Sequence, residues 1–198
     1  MIYHNTAATT AAVTNRIVAS ANMKVGTYTI ANSGVPVWSG GALITLTHTT
    51  VATTDTLGTV VLVGKNLTGG ATTETLTPVA DDEVTSTKVF RSITSATGVG
   101  WVKAGATEDT IVIGVAAGSY LADTGTTLGG VLVNNSVATA FSVADARGTI
   151  ITVPASQAAG TYYNLQGVEC AGFLKVTTTS TNDVTVFHAG SIPAYATA

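Results

Sequence analysis

The chain has 198 residues, enough for one large domain or two small ones. Only 10% of its residues are Asp, Glu, Lys or Arg, compared with about 25% in an average soluble domain, and its formal net charge is −3. The Lys and Arg residues are scattered, which argues against a basic surface for nucleic acid or an anionic membrane. The low charge indicates that an assembly covers much of the surface, and a Thr-rich surface hydrated through its hydroxyl groups is the open alternative.

Branched and small side chains determine the predicted fold class. Thr, Val, Ala and Gly make up much of the chain. Branching at Cβ favours an extended backbone, whereas Gly serves the turns between strands. No stretch carries apolar residues at a convincing helical period, which argues against parallel α/β architectures. The composition therefore predicts an all-β protein.

Residues 1–23 lack the alternation that marks the strands further along the chain. They carry Tyr3, Ile17 and Val18, which we take as candidate interface residues. We predict an extended N-terminal arm that becomes ordered against a neighbouring subunit, and a frayed terminus is the open alternative. The first residues also lack the basic and apolar stretches of a signal peptide, so we expect none.

A first series of strands is predicted within residues 24–117. Residues 57–63 and 73–77 flank a Gly69-Gly70 loop and predict a hairpin, because glycine readily adopts the positive φ values of tight turns. Pro78 ends the second of these strands, since it has no N–H to donate to a neighbouring strand.

A second series is predicted within residues 118–198. Its strands lie around residues 131–133, 139–143, 148–153, 161–165, 173–176 and 184–187. Short strands about 8–12 residues apart with Gly, Asn or Asp turns are typical of sandwiches and barrels. We therefore predict two small antiparallel β-sandwich or jelly-roll-like domains. Asp109 and Asp183 each lead into an alternating strand near the end of a series, but two such matches do not establish a duplication.

The titratable residues form no catalytic pattern. His4, His48 and His188 lie far apart in the chain and lack partners at metal-ligand spacing. Residues 81–83 (Asp-Asp-Glu) predict a solvated turn, and a divalent cation bound between subunits is the alternative. Cys170 is the only cysteine, so no intrachain disulfide forms, and we predict a small buried side chain there.

Motifs for phosphate binding, dinucleotide binding, serine hydrolysis and zinc proteolysis are absent from the sequence. We therefore expect a non-enzymatic protein with no catalytic residue, no cofactor and no metal. Aromatic side chains are enriched at the centres of interfaces, so we take Trp38 and Tyr163 as candidate interface residues, with core packing as the alternative. Adjacent Tyr162 and Tyr163 face opposite sides of a strand, so we expect one in a core and the other exposed.

Strand-and-turn patterns in both halves of the chain resemble those of tailed-bacteriophage virion proteins. The resemblance spans roughly residues 42–188 and transfers no catalytic residue. In the first half it rests on DTLGTV at residues 55–60, TETLTPV at 73–79 and STKVFRSIT at 86–94. In the second half it rests on GTII at residues 148–151, PA at 154–155, AGTYY at 159–163, GFLKV at 172–176 and DVTV at 183–186.

The resemblance implies a virion structural protein, first of all a capsid decoration (cement) protein that binds and stabilises the assembled phage head. It implies synthesis in the host cytoplasm and a place on the outer capsid surface. The expected partners are the major capsid protein and other copies of this chain, preferably in a trimer, but neither nucleic acid nor a membrane. One alternative is a tail, baseplate or head-fibre component. Another is a carbohydrate-binding adhesin module in which exposed Trp38 or Tyr163 stacks on sugars.

Overall fold

The computed structural model describes residues 3–9, 13–31, 40–53, 55–122, 125–178 and 182–189, and of residues 3–9 it describes the backbone alone. These ranges contain strands and turns and no helix, so the predicted all-β fold is confirmed. Accordingly, no helix in the described ranges could cross a membrane. The strands are β1 (Tyr3–Thr9), β2 (Val13–Asn22), β3 (Gly26–Thr27), β4 (Ile44–Thr49), β5 (Thr59–Lys65), β6 (Ala71–Leu76), β7 (Glu83–Thr85), β8 (Ser92–Val99), β9 (Thr110–Val115), β10 (Ser119–Ala122), β11 (Thr126–Val133), β12 (Phe141–Asp145), β13 (Gly148–Val153), β14 (Tyr162–Cys170), β15 (Leu174–Thr178) and β16 (Asn182–Ala189).

The described strands form four antiparallel sheets of four strands each. Two sheets, with strand orders β2-β9-β4-β7 and β3-β8-β5-β6, both contribute to one hydrophobic core. The other two, with orders β1-β16-β11-β14 and β10-β15-β12-β13, enclose a second core. We call strands β2–β9 the N-terminal sandwich, and β1 together with β10–β16 the C-terminal sandwich. The division of the chain into independent domains at residues 24–117 and 118–198 stays a prediction.

Alternating side chains build the core of the N-terminal sandwich. In β5, Val60 and Leu62 are fully buried while their neighbours along the strand are only partly covered. The facing sheet supplies Leu46, Ile111 and Ile113 to the same core. Burying each such side chain contributes about 1.5–3 kcal/mol relative to leaving it in water. The period-2 pattern of the sequence therefore follows directly from packing between two sheets.

The hairpin predicted around Gly69-Gly70 is present. Strands β5 and β6 pair in register from Val60 opposite Leu76 to Lys65 opposite Ala71. Gly69 has a φ of 83°, a backbone conformation that favours glycine.

The C-terminal sandwich repeats the packing of the N-terminal one. Phe141 and Val143 of β12 point into its core, as do Val131 of β11 and Val184 and Val186 of β16. Cys170 is a free, buried thiol in this core, as the sequence predicted.

The two sandwiches have the same strand topology. Strand β1 corresponds to β2, and β10–β16 correspond in order to β3–β9. With this matching, the sheet β1-β16-β11-β14 has the same strand order as β2-β9-β4-β7. The sheet β10-β15-β12-β13 likewise has the same order as β3-β8-β5-β6. The registers agree as well, because Val60 lies opposite Leu76 while Phe141 lies opposite Val153 at the matching position. The two aspartates that lead into alternating strands, Asp109 and Asp183, lie at the starts of the matching strands β9 and β16.

The strand pairing corrects the expectation that residues 1–23 form an extended arm ordered only against a neighbouring subunit. Strand β1 pairs with β16 and β2 pairs with β9, so both belong to sheets of this chain. Ile17 and Val18 are only 7% and 2% exposed and lie in the N-terminal core rather than on an interface. The register of β2 shifts on both sides of Val18, and such bulges place neighbouring residues on one face. The bulges explain why the sequence lacked a clear period there.

Replacement of Ile17 tests this placement. Because its side chain fills a core, Ile17→Ala should lower the free energy of unfolding by about 2–5 kcal/mol, the usual cost of such a cavity. The matched control is Val25→Ala, since Val25 is 66% exposed and should change stability by less than about 0.5 kcal/mol. Urea unfolding followed by circular dichroism measures both. Equal midpoints for the two variants would restore the predicted arm that orders only against a neighbouring subunit.

Candidate functional site

A buried histidine and a carboxylate form a pair at one end of the N-terminal sandwich. His48 Nε2, in β4, lies 3.2 Å from Oδ2 of Asp109, which directly precedes β9. Both side chains are fully buried. The Nδ1 atom of His48 accepts a hydrogen bond of 3.1 Å from the N–H of Asp81. Nδ1 therefore carries no proton, and Nε2 donates its hydrogen to the carboxylate.

Asp109 also organises the loop that follows β4. Its two oxygens accept hydrogen bonds from the N–H groups of Val51 at 2.9 Å and Asp55 at 2.8 Å. Asp55 accepts in turn from the N–H of Asp109 at 2.7 Å. Burial raises the pKa of Asp109, but the N–H groups of Asp55 and Val51 and the nearby His48 outweigh it and hold that pKa below its usual range. Both ring nitrogens of His48 and both carboxylate oxygens of Asp109 therefore have hydrogen-bond partners within the fold.

The acidic cluster at residues 81–83 forms a turn whose carboxylates have local partners. Asp81 has a φ of 54° and accepts a hydrogen bond of 2.6 Å from the N–H of Thr50. Asp82 accepts from the N–H of Glu83 at 2.7 Å. Among the described residues, no three His, Cys, Asp or Glu side chains are grouped to hold a metal ion. The predicted turn is therefore present, and a cation bound between subunits stays an untested alternative.

Asp109→Asn tests the structural role of the pair. An amide in place of the carboxylate presents an NH2 group to at least one of the present donors and leaves that donor unsatisfied in the interior. We expect a loss of about 1–3 kcal/mol in the free energy of unfolding at neutral pH. Asp82→Asn, at an exposed carboxylate, is the matched control and should unfold like the parent chain.

The same residue predicts an acid response. The pKa of Asp109 is lower in the folded chain than in the unfolded one, so its ionised form stabilises the fold above about pH 4. This contribution is lost as the pH falls through the folded-state pKa. Urea midpoints measured from pH 7 to pH 2 should therefore fall more steeply for the parent chain than for Asp109→Asn. Parallel curves would contradict the assignment.

A second buried histidine lies in the C-terminal sandwich. His188 of β16 is buried, and neither ring nitrogen has a hydrogen-bond partner among the described residues. Burial lowers its pKa because the charged ring would lose its hydration. His188 lies opposite Leu128 of β11 on one side and Tyr3 of β1 on the other. The neutral ring therefore belongs to the core beside the place where β1 joins the sheet.

The outer face of the C-terminal sandwich carries a shallow groove of about 390 Å³. Tyr162 of β14 is 51% exposed, and its ring meets Phe187 of β16 edge-on with centroids 5.8 Å apart. Asn164, Gln166 and Thr127 bring amide and hydroxyl groups to the same groove. The groove combines an aromatic surface with neutral hydrogen-bonding groups, and none of the described residues that line it is charged.

Strand geometry explains why Tyr162 is available. Its neighbour Tyr163 packs against the C-terminal core and donates a hydrogen bond from its hydroxyl to Gln157 Oε1 at 2.8 Å. Successive side chains of a strand point to opposite faces, so Tyr162 points outward. The predicted division between the two tyrosines is confirmed, and Tyr162 is the exposed one. A Cβ on Gly130 would collide with the Tyr162 ring, so glycine in β11 makes room for it.

Three exposed valines lie at one end of the sheet β3-β8-β5-β6. Val25, Val99 and Val102 are 66%, 47% and 59% exposed. Val25 and Val99 flank the pair formed by Gly26 and Gly98, and Val102 pairs with Thr56 just beyond β5 and β8. We call these three residues the valine rim. Clustered exposed apolar side chains mark surfaces that contact other molecules.

The five candidate interface residues do not form one surface. Ile17 and Val18 belong to the N-terminal core, and Tyr163 packs against the C-terminal core, the alternative considered for it. Tyr3 lies in β1, whose backbone alone is described, and Trp38 lies outside the described residues. Alternation along a strand predicted that Tyr162 or Tyr163 would be exposed. No local sequence pattern predicts the valine rim, because its residues come from separate strands and loops.

Comparison with known proteins adds no relative. No family model, curated protein or solved structure matches the chain.

Proposed function

We propose that the chain is a capsid decoration protein of a tailed bacteriophage, which binds the outside of the assembled head and stabilises it without catalysing a reaction. The observation that carries this proposal is the valine rim on a body with little charge. An exposed apolar cluster suits contact with another protein, because its burial releases water from apolar surface. The strand-and-turn patterns that resemble those of phage virion proteins point in the same direction.

Polar side chains that bond to other groups of the same chain support a structural role. The buried His48–Asp109 pair and the carboxylates of residues 81–83 are engaged in hydrogen bonds within the fold. General acid–base catalysis needs a group within hydrogen-bond reach of a substrate and free to exchange a proton. The pair has no such free group.

The mechanism of attachment is burial of apolar surface at many weak sites. A fully buried valine contributes about 1.5–3 kcal/mol, so three valines alone hold a single copy loosely. Copies that are linked to each other, preferably as a trimer at the three-fold positions of a capsid, bind far more tightly because each further contact is intramolecular. The partners in this proposal are the major capsid protein and other copies of the chain, on the outer capsid surface.

Labelling of virions tests the location. Antibodies against the purified chain, applied to particles in which mass spectrometry detects it, should label heads evenly in electron micrographs. Label confined to tails, baseplates or head fibres would reject decoration in favour of the alternative virion component. Absence of the chain from purified particles would reject both.

Replacement of the valine rim tests the contact. Val25→Ser, Val99→Ser and Val102→Ser combined should lower occupancy on heads stripped of the protein at least tenfold, because apolar burial is lost. The control is Tyr162→Ser, which removes a comparably exposed apolar side chain from the C-terminal sandwich. Equal occupancy of the two variants would show that the valine rim does not face the capsid.

A carbohydrate-binding adhesin is the second candidate, and the groove at Tyr162 favours it. Exposed aromatic rings beside amide groups suit the apolar faces and hydroxyl groups of sugars. The side chain that stacks on the sugar in this candidate is Tyr162. It is not Tyr163, whose hydroxyl is hydrogen-bonded to Gln157. If the candidate is correct, glycans bound on an array should be lost with Tyr162→Ala and retained with Tyr163→Phe. An array without any bound glycan would reject it.

A further inference from the structure

The C-terminal sandwich takes one of its strands from the opposite end of the chain. In the N-terminal sandwich, the place beside β9 is filled by β2, which directly precedes β3. The matching place beside β16 is filled by β1, although the strand that begins this sandwich along the chain is β10. Only residues 116–118 separate β9 from β10, so no local segment is left to fill that place.

The contact between β1 and β16 is continuous. Seven residues pair without a register shift, from Tyr3 opposite His188 to Thr9 opposite Asn182. Among the described strands, β1 lies at the edge of its sheet and pairs with β16 alone. Without β1, the backbone N–H and C=O groups of β16 on that side would lose their partners, next to the buried side chains of Val184, Val186 and His188.

Strand β1 is also separated from its own sandwich by the whole N-terminal sandwich along the chain. Three residues, 10–12, connect β1 in one sandwich to β2 in the other. An edge strand joined to the body through one short connection can form the same backbone pairs with another copy of β16. Exchange of an identical element retains the contacts between the strand and its sheet, which makes it a low-cost route to oligomers.

We propose that β1 is a donor strand that pairs with β16 of a second copy of this chain, so that neighbouring copies are linked by exchanged strands. The sandwich that accepts β1 is completed in the same register as within a single chain. A high local concentration, such as that on a particle surface, shifts the balance from the closed chain to the exchanged form. The proposal rests on the strand topology and stands independently of which particle or surface the protein occupies.

Two single-cysteine proteins provide the test. One carries Thr6→Cys and the other Thr185→Cys, both with Cys170→Ser to remove the native thiol. Thr6 and Thr185 are register partners, and opposed residues of antiparallel strands lie within disulfide reach. In a mixture of the two proteins, only exchange between copies places these cysteines side by side. The mixture is refolded together at increasing concentration, oxidised mildly, and separated on a non-reducing gel.

The matched control mixes Thr27→Cys and Thr97→Cys proteins in the same background. These residues are register partners in β3 and β8, which both lie within one sandwich of one chain. We expect at least tenfold more crosslinked dimer from the Thr6 and Thr185 mixture than from the control, increasing with concentration. Each single variant is first checked for the unfolding midpoint of its Cys170→Ser parent.

A chain carrying both Thr6→Cys and Thr185→Cys measures the closed form. If this chain crosslinks internally while the mixture never exceeds the control at hundreds of micromolar, exchange is refuted. If the double variant forms no disulfide within or between chains, β1 does not lie beside β16, and the proposal fails at its first premise. A crosslinked dimer confined to the mixed single variants supports the proposal, and mass spectrometry of the linked peptides confirms the register.

Discussion

Backbone pairing along the last strand of each sandwich is the interaction on which the fold depends. Strand β9 lies between β2 and β4, and β16 lies between β1 and β11, so each is hydrogen-bonded on both sides. The outer partner in both cases comes from the first 22 residues of the chain. Because buried backbone groups need partners, this N-terminal segment is required by both cores at once. Gly114 of β9 allows the close approach, since a Cβ there would collide with the backbone of Val13 and Thr14 in β2.

Each sandwich has an aspartate near the start of this strand that bonds to the corresponding loop, although Asp109 aligns in register with Asn182 and not with Asp183. Asp109 receives the N–H groups of the loop after β4. Asp183 receives the side-chain amides of Asn134 and Asn135 after β11, at 2.8 and 3.0 Å. The task is shared, but the chemistry differs, because Asp109 is buried and bonds to backbone while Asp183 is partly exposed and bonds to side chains. An acidic residue before an alternating strand therefore has a structural explanation in both halves.

The sequence predicts the parts of this fold that depend on neighbouring residues. Alternation identifies β5 and β9, glycine identifies the hairpin at Gly69, and strand parity separates Tyr162 from Tyr163. It fails where geometry breaks the period, as at Ile17 and Val18, which adjacent bulges turn to the same core. It also fails where contacts join distant segments. Neither the pairing of β1 with β16 nor the contact of His48 with Asp109 has a local signature in the chain.

The shared topology separates what the scaffold requires from what one half has added to it. Leu46 pairs with Ile113 in one sandwich and Val131 with Val186 in the other, and all four side chains are buried, so inward positions stay apolar in both.

Outward positions differ instead. Relative to these pairs, Tyr162 occupies the position of Glu83, and Phe187 occupies that of Gly114. The N-terminal sandwich folds with a carboxylate and a glycine at these two positions, so the topology does not require aromatic rings there. Tyr162 and Phe187 lie on the outer face and leave the groove open to solvent, so their contribution to core packing is small. These two aromatic side chains are therefore an addition of the C-terminal sandwich, and the carbohydrate-binding candidate depends on them.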